Sequence, residues 1–167
     1  DEAFQREAAQ QIIRTIGGAW DKEPRGDTFD FTAWRTGESE YLSGLTITPF
    51  DVIHPAQESH ALRVEDESGK VLTFSGDSCF TPTLIDAARG ADLFLCEAAW
   101  GASSEGKPEG MHMSGADAGR IAREAGVKTL VLVHIQPWTD PQQVAEAAST
   151  EFDGEIVLGT AGAVFEV

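Results

Sequence analysis

Four short apolar runs, separated by amphipathic stretches, dominate the chain from residue 71 onward: Val71-Leu72-Thr73-Phe74, Leu93-Phe94-Leu95-Cys96, Thr129-Leu130-Val131-Leu132-Val133 and Ile156-Val157-Leu158. Strand signals that alternate with helix signals build a layered α/β fold. Helices are predicted over 82–88, 115–125 and 141–150, and strands at 93–96, 129–133 and 156–158, with a final strand at 163–167. Two of the helix starts are well marked. Ser114 with Asp117 three residues on is a capping-box pattern, with Gly126 as the stop, and Asp140-Pro141 places a cap before a proline at the first helical position. Upstream the pattern is β-type, at 28–33, 45–53, 60–65 and 70–75, with Ser68-Gly69 turning the last pair into a hairpin. Phe4, Ala8, Ile12 and Ile16 predict a helix over 2–16, stopped by Gly17-Gly18.

With 167 residues and 41% hydrophobic content, the chain can form one domain with a real core. Its formal charge of -16 disfavours a bare polyanion as partner, since neutralising phosphates takes clustered Lys and Arg. No apolar stretch approaches the ~20 residues of a spanning helix, so no membrane is expected. Cys79 and Cys96 make no disulfide framework and read as reduced thiols of a cytoplasmic protein. A homodimer is the expected assembly. The chain opens on Asp1 directly into a helical pattern, and reads as the inside of a longer protein.

Several runs end in a residue able to bind or manage a metal ion. Val-Leu-Thr-Phe-Ser-Gly leads to Asp77, Ala-Asp-Leu-Phe-Leu-Cys to Glu97, Thr-Leu-Val-Leu-Val to His134, and the run from Leu45 to Ile53 to His54. Carboxyl ends of strands are where α/β folds build their sites. His112, in Gly110-Met111-His112-Met113-Ser114, stands just ahead of a helix start, a position suited to meeting an anion. Each residue alone has an ordinary explanation: a loop imidazole for His54, a turn for Gly76-Asp77-Ser78, a buried salt bridge for Glu97. Their joint placement argues for a site, and imidazole with carboxylate suits zinc, manganese or iron. His60 has only a slight claim to a direct role.

The segments His54-Pro55, Phe74-Ser75-Gly76-Asp77-Ser78, Gly90-Ala91-Asp92-Leu93-Phe94-Leu95-Cys96-Glu97-Ala98, His112-Met113-Ser114 and Val131-Leu132-Val133-His134, in this order, resemble the metallo-β-lactamase superfamily in its ribonuclease Z and phosphodiesterase branch. The runs Cys96-Glu97-Ala98-Ala99-Trp100 and His134-Ile135-Gln136-Pro137-Trp138 look most like an actinobacterial group in that branch that includes cyclic-nucleotide phosphodiesterases. The resemblance implies a four-layer αββα sandwich, of which this chain is the carboxyl-terminal two thirds or so. It implies two divalent metal ions, zinc foremost and manganese or iron as alternatives. Asp77 would bridge them, with His54 on the first and His134 on the second. His112 would act as acid or charge stabiliser at the leaving oxygen, oriented by Glu97, while a metal-held hydroxide attacks phosphorus.

The superfamily's His-x-His-x-Asp-His motif, a source of four of its ligands, occurs nowhere in these residues, and Ser78 stands where threonine is usual. The expected activity is cleavage of a small phosphodiester such as a cyclic nucleotide. A ribonuclease Z-like tRNA 3′-processing endonuclease is one alternative, and a catalytically incomplete fragment with a binding role is another.

Overall fold

The structure is a computed structural model, and it describes residues 34–167 apart from residue 57. The helix predicted over 2–16 and the strand over 28–33 lie outside the described residues.

Strand β1 (Glu40–Leu42) and strand β2 (Leu45–Asp51) form an antiparallel hairpin across Ser43-Gly44. Both turn residues have positive φ, 53° and 89°, the mirror-image turn whose twist matches that of paired strands. Strand β3 (His60–Asp66) returns antiparallel to β2, and strand β4 (Val71–Phe74) follows antiparallel to β3. The turn between them is held by the Asp66 carboxylate, which accepts from the Ser68 N–H at 2.9 Å and the Lys70 N–H at 2.8 Å.

From β4 onward the connection changes to crossovers. Helix α1 (Pro82–Ala88), strand β5 (Leu93–Glu97), helix α2 (Gly115–Ala125), strand β6 (Thr129–Val133), helix α3 (Pro141–Ser149) and strand β7 (Glu155–Leu158) alternate. Strands β4 to β7 pair in parallel, so the seven described strands make one mixed sheet in sequence order. The three helices share a core with one face of that sheet, filled by Leu84, Phe94, Met113, Ile121, Leu130, Leu132 and Val144. The other face, with Leu62, Leu72, Leu93, Leu95 and Val131, is apolar as well. Strands apolar on both faces belong to the inner layers of a sandwich, which is the α/β arrangement expected for the αββα fold. No described helix is long and apolar enough to cross a membrane.

The predicted caps form as bonds. Ser114 accepts from the Asp117 N–H while Asp117 accepts from the Ser114 N–H, and Gly126 closes α2 at φ 68°. Asp140 accepts from the Gln142 N–H at 3.0 Å with Pro141 at the first helical position. Helices α2 and α3 approach closely through glycine: a Cβ on Gly119 would lie 2.3 Å from the Ala148 carbonyl oxygen.

Two expectations need correction, and one strand carried none. Residues 163–167 form no strand: the Gly159 N–H still reaches the Leu132 carbonyl at 2.8 Å, but the Ala163 N–H then closes a turn onto Thr160 and Val164 is 88% exposed. Alternation there had no neighbouring strand to pair with among the described residues. β2 stops at Asp51 rather than running to Ile53. β1, exposed throughout and three residues long, offers no burial pattern to read.

Candidate metal centre

Sheet direction explains why distant residues meet. β2 and β4 are each antiparallel to β3, so they point the same way, and β5 and β6 are parallel to β4. The carboxyl ends of β2, β4, β5 and β6 therefore lie along one edge. Glu97 is the last residue of β5 and His134 follows β6 directly, whereas Asp77 and His54 each stand three residues beyond their strands, on loops. Local backbone geometry aims two of them. Gly76 has φ 61°, and a Cβ there would sit 2.6 Å from the His60 carbonyl oxygen, so the turn into Asp77 requires glycine. His134 itself takes φ 54°, a left-handed conformation that costs a non-glycine residue of order 1 kcal/mol and persists where the surroundings hold it.

One ligand atom from each of Asp77, His112 and His134 lies within 4.8 Å of the others. His134 Nδ1 is 3.0 Å from Asp77 Oδ1. His54 is beside this group, its ring centroid 5.1 Å from that of His112, and the His134 ring is 5.2 Å from His112 on another side. The structure thus brings together all of His54, Asp77, His112 and His134. The tightest donor set holds His112 where the sequence reading put His54 among the ligands. His60 is apart: its Nδ1 lies 3.1 Å from Asp51 Oδ1, but neither ring nitrogen makes a hydrogen bond of good geometry.

This donor set fits a divalent ion. Imidazole and carboxylate are ligands that zinc, manganese and iron share, and two of the rings are anchored through Nδ1. His112 Nδ1 donates to Glu97 Oε1 at 2.8 Å, because an ionised carboxylate can only accept, and His54 Nδ1 donates more weakly to the Met111 carbonyl at 3.4 Å. In both rings Nε2 is left for other work.

Glu97 is 1% exposed and accepts four hydrogen bonds. Oε1 takes the Ser78 N–H at 2.9 Å besides His112, and Oε2 takes the Ala99 N–H at 3.0 Å and the Met113 N–H at 3.3 Å. One carboxylate so ties the loop after Asp77 to the loop that carries His112. Trp100, to which the sequence reading gave no role, meets His112 edge-on at 5.0 Å and 86°. Its signal was its place three residues after Glu97. Burial pushes the Cys79 thiol up, which keeps it protonated, and it stands outside the donor group.

A beta-lactamase superfamily domain matches residues 9–135, a stretch that takes in every member of this group. The chain belongs to the metallo-β-lactamase superfamily. Within that superfamily it is 44% identical over 141 residues to an uncharacterized protein of Mycobacterium tuberculosis, a match covering 84% of this chain and 51% of the relative. The probable metallo-hydrolase YhfI of Bacillus subtilis is 35% identical over 122 residues, covering 73% of this chain and 49% of YhfI. A ribonuclease Z of Myxococcus xanthus is 31% identical over 160 residues, covering 93% and 47%. The chain spans about half the length of these curated relatives. Its fold superposes on the crystal structure of YhfI with a TM-score of 0.74 at 30% identity, covering 81% of this chain and 55% of that one. Membership of this superfamily implies divalent metal binding, and the described residues contain a ligand group suited to it.

Proposed function

We propose that the full-length protein is a metal-dependent phosphodiesterase that cleaves a small phosphodiester such as a cyclic nucleotide. The observation that carries this reading is the buried Glu97 hydrogen-bonded to His112 Nδ1 beside Asp77 and His134. Divalent ions, zinc in this reading, would be held by His54, Asp77 and His134 and would supply Lewis-acid stabilisation at phosphorus and activation of water. His112 serves the opposite side of the reaction. With Nδ1–H donated to Glu97, the protonated ring carries its second N–H at Nε2, from which it would deliver a proton to the departing oxygen or stabilise charge there. Glu97 fixes the orientation of the ring. Three such ligands do not complete the shells of two ions, so the proposal takes further ligands from outside these 167 residues.

Relatives named ribonuclease Z make tRNA 3′ processing the second reading. The charge of -16 weighs against it, since gripping RNA requires local cations. The deciding experiment gives the metal-loaded full-length protein cyclic nucleotides, bis-phosphodiesters and pre-tRNA side by side. Hydrolysis of a cyclic nucleotide, lost in His112→Ala, is the expected result. Cleavage of pre-tRNA alone overturns the proposal.

A further inference from the structure

His112 forms one wall of a cavity of about 240 Å³ that neither Asp77 nor His134 lines, between the start of α1 and the loop leading into α2. Its other walls include Cys79, Phe80, Trp100, Ser104, Lys107 and Glu109. We infer that this cavity is a nucleobase subsite, holding on the His112 side of the centre the base of the nucleoside whose sugar oxygen leaves phosphorus. The inference rests on the phosphodiesterase reading above and names the leaving group it would favour.

Size comes first. Sites for drug-sized ligands run to about 300–1,000 Å³, so a smaller cavity suits one compact ring system with its sugar. The chemistry of the walls is specific for a flat ring with polar edges. Trp100 and Phe80 supply aromatic surface, and the exposed Lys107 ammonium stands over the Trp100 ring at 5.8 Å from its centroid, the place a base stacking on that ring would take from it. Both aromatic walls are held by neighbours: Trp100 packs against His112, and the Arg120 guanidinium lies 4.5 Å from the Phe80 centroid. Fixed aromatic planes that a base can stack on are how proteins hold single nucleotides.

Charge excludes the phosphate itself from this cavity. Lys107 is outnumbered by Glu109 and Asp117, so an anion is disfavoured and a neutral group with N–H donors on its edge is favoured. Asp117 is already occupied by the Ser104 and Ser114 hydroxyls and the Ser114 N–H, which leaves Glu109 and Lys107 to meet a base edge. Placement agrees with the proton path. The oxygen His112 would protonate belongs to the sugar, which in a cyclic phosphate stays joined to phosphorus through its other ester, and the base attached to that sugar then falls in the adjoining cavity.

The test compares adenosine 3′,5′-cyclic phosphate with an abasic counterpart, 1-O-methylribose 3′,5′-cyclic phosphate, on the metal-loaded full-length protein. Stacking on one aromatic plane is expected to raise kcat/KM for the base-bearing substrate by roughly tenfold to a hundredfold. Trp100→Leu should collapse that ratio toward one, Trp100→Phe should retain most of it, and Lys107→Trp, on an exposed loop, should collapse it by filling the space. Disturbance of His112 would slow both substrates alike and leave the ratio intact, and an intact ratio in Trp100→Leu and Lys107→Trp overturns the subsite. Calorimetry with adenosine against methyl riboside supplies a readout free of turnover: wild type should bind adenosine alone, and Trp100→Leu neither. Equal turnover of the two phosphates by the wild type, with no adenosine binding, sinks the subsite and leaves the phosphodiesterase reading standing. Should no phosphodiester be hydrolysed, that reading fails, while adenosine binding still decides the subsite.

Discussion

At the scale of single residues, Glu97 shows how one side chain converts a strand end into a site. Its burial was legible in the apolar run Leu93 to Cys96 that precedes it. Its partners were not, because the Ser78, Ala99 and Met113 N–H groups and the His112 ring come from loops whose meeting depends on the whole sheet edge. Replacement by glutamine tests the arrangement with little change in shape. Whichever way the amide turns, its NH2 faces donors: the Ser78 N–H and His112 on one side, or the Ala99 and Met113 N–H groups on the other. Leaving such donors unpaired in a buried place costs about 1–3 kcal/mol. Glu97→Gln should therefore lower the melting temperature, and, with His112 no longer held, reduce kcat by about 10²-fold or more while KM moves little. A variant with wild-type kcat would show that Glu97 is only structural.

Two elements set the geometry from below. Helix α2 begins at the capping box two residues after His112, so any shift of α2 is felt at the site. Gly119 lets α2 lie against α3, where a Cβ would come 2.3 Å from the Ala148 carbonyl oxygen. Gly119→Ala should push the helices apart and cost about 1–3 kcal/mol by overpacking, against a gain of up to about 1 kcal/mol from helix propensity. Urea unfolding should show a net loss, and an unchanged midpoint would mean the two helices slide freely. At the opposite edge of the sheet, Asp92 joins the starts of β4, β5 and β6. It accepts the Val71 N–H at 2.9 Å and pairs with Lys128 and, at 3.5 Å, with Lys70. The Lys128 bond first, and the Val71 N–H next, hold its carboxyl down at about 2 against an ordinary 3.8. A folded-state value below the unfolded one means that the stabilisation is complete above about pH 4 and is lost as the pH falls toward 2. Asp92→Asn should remove this part of the acid unfolding curve and leave the slope above pH 5 unchanged, as measured by circular dichroism across the range.

For the whole molecule, the parallel half of the fold was legible because each β–α–β unit writes its own local pattern: apolar run, cap, amphipathic face, glycine stop. What escaped the sequence depended on partners. Ala163 to Val167 alternate like a strand but find no neighbour among the described residues, and Glu40-Tyr41-Leu42 pair as a strand without burying anything. The site was half legible in the same sense. His134 and Glu97 sit on strand ends and could be placed from periodicity, whereas the approach of His112 to Asp77 and His134, within 4.8 Å, comes from loops closing over the edge. That closure sets up the last expectation. A carboxylate and imidazoles gathered from strands and loops far apart in sequence form a ligand group in the folded chain and none in the unfolded one, so a divalent ion must stabilise the fold by mass action. At a thousandfold excess over Kd the gain is about 4 kcal/mol, or roughly 10 °C in melting temperature for a chain of this size. Dialysis against a chelator should lower the melting temperature of the full-length protein by that order, and zinc added back should restore it. Asp77→Asn and His134→Ala should each flatten the rise with added zinc, whatever they do to the metal-free value, because each removes a donor. A rise as large in both variants as in the wild type would place the metal elsewhere, and with it the chemistry argued from this edge of the sheet.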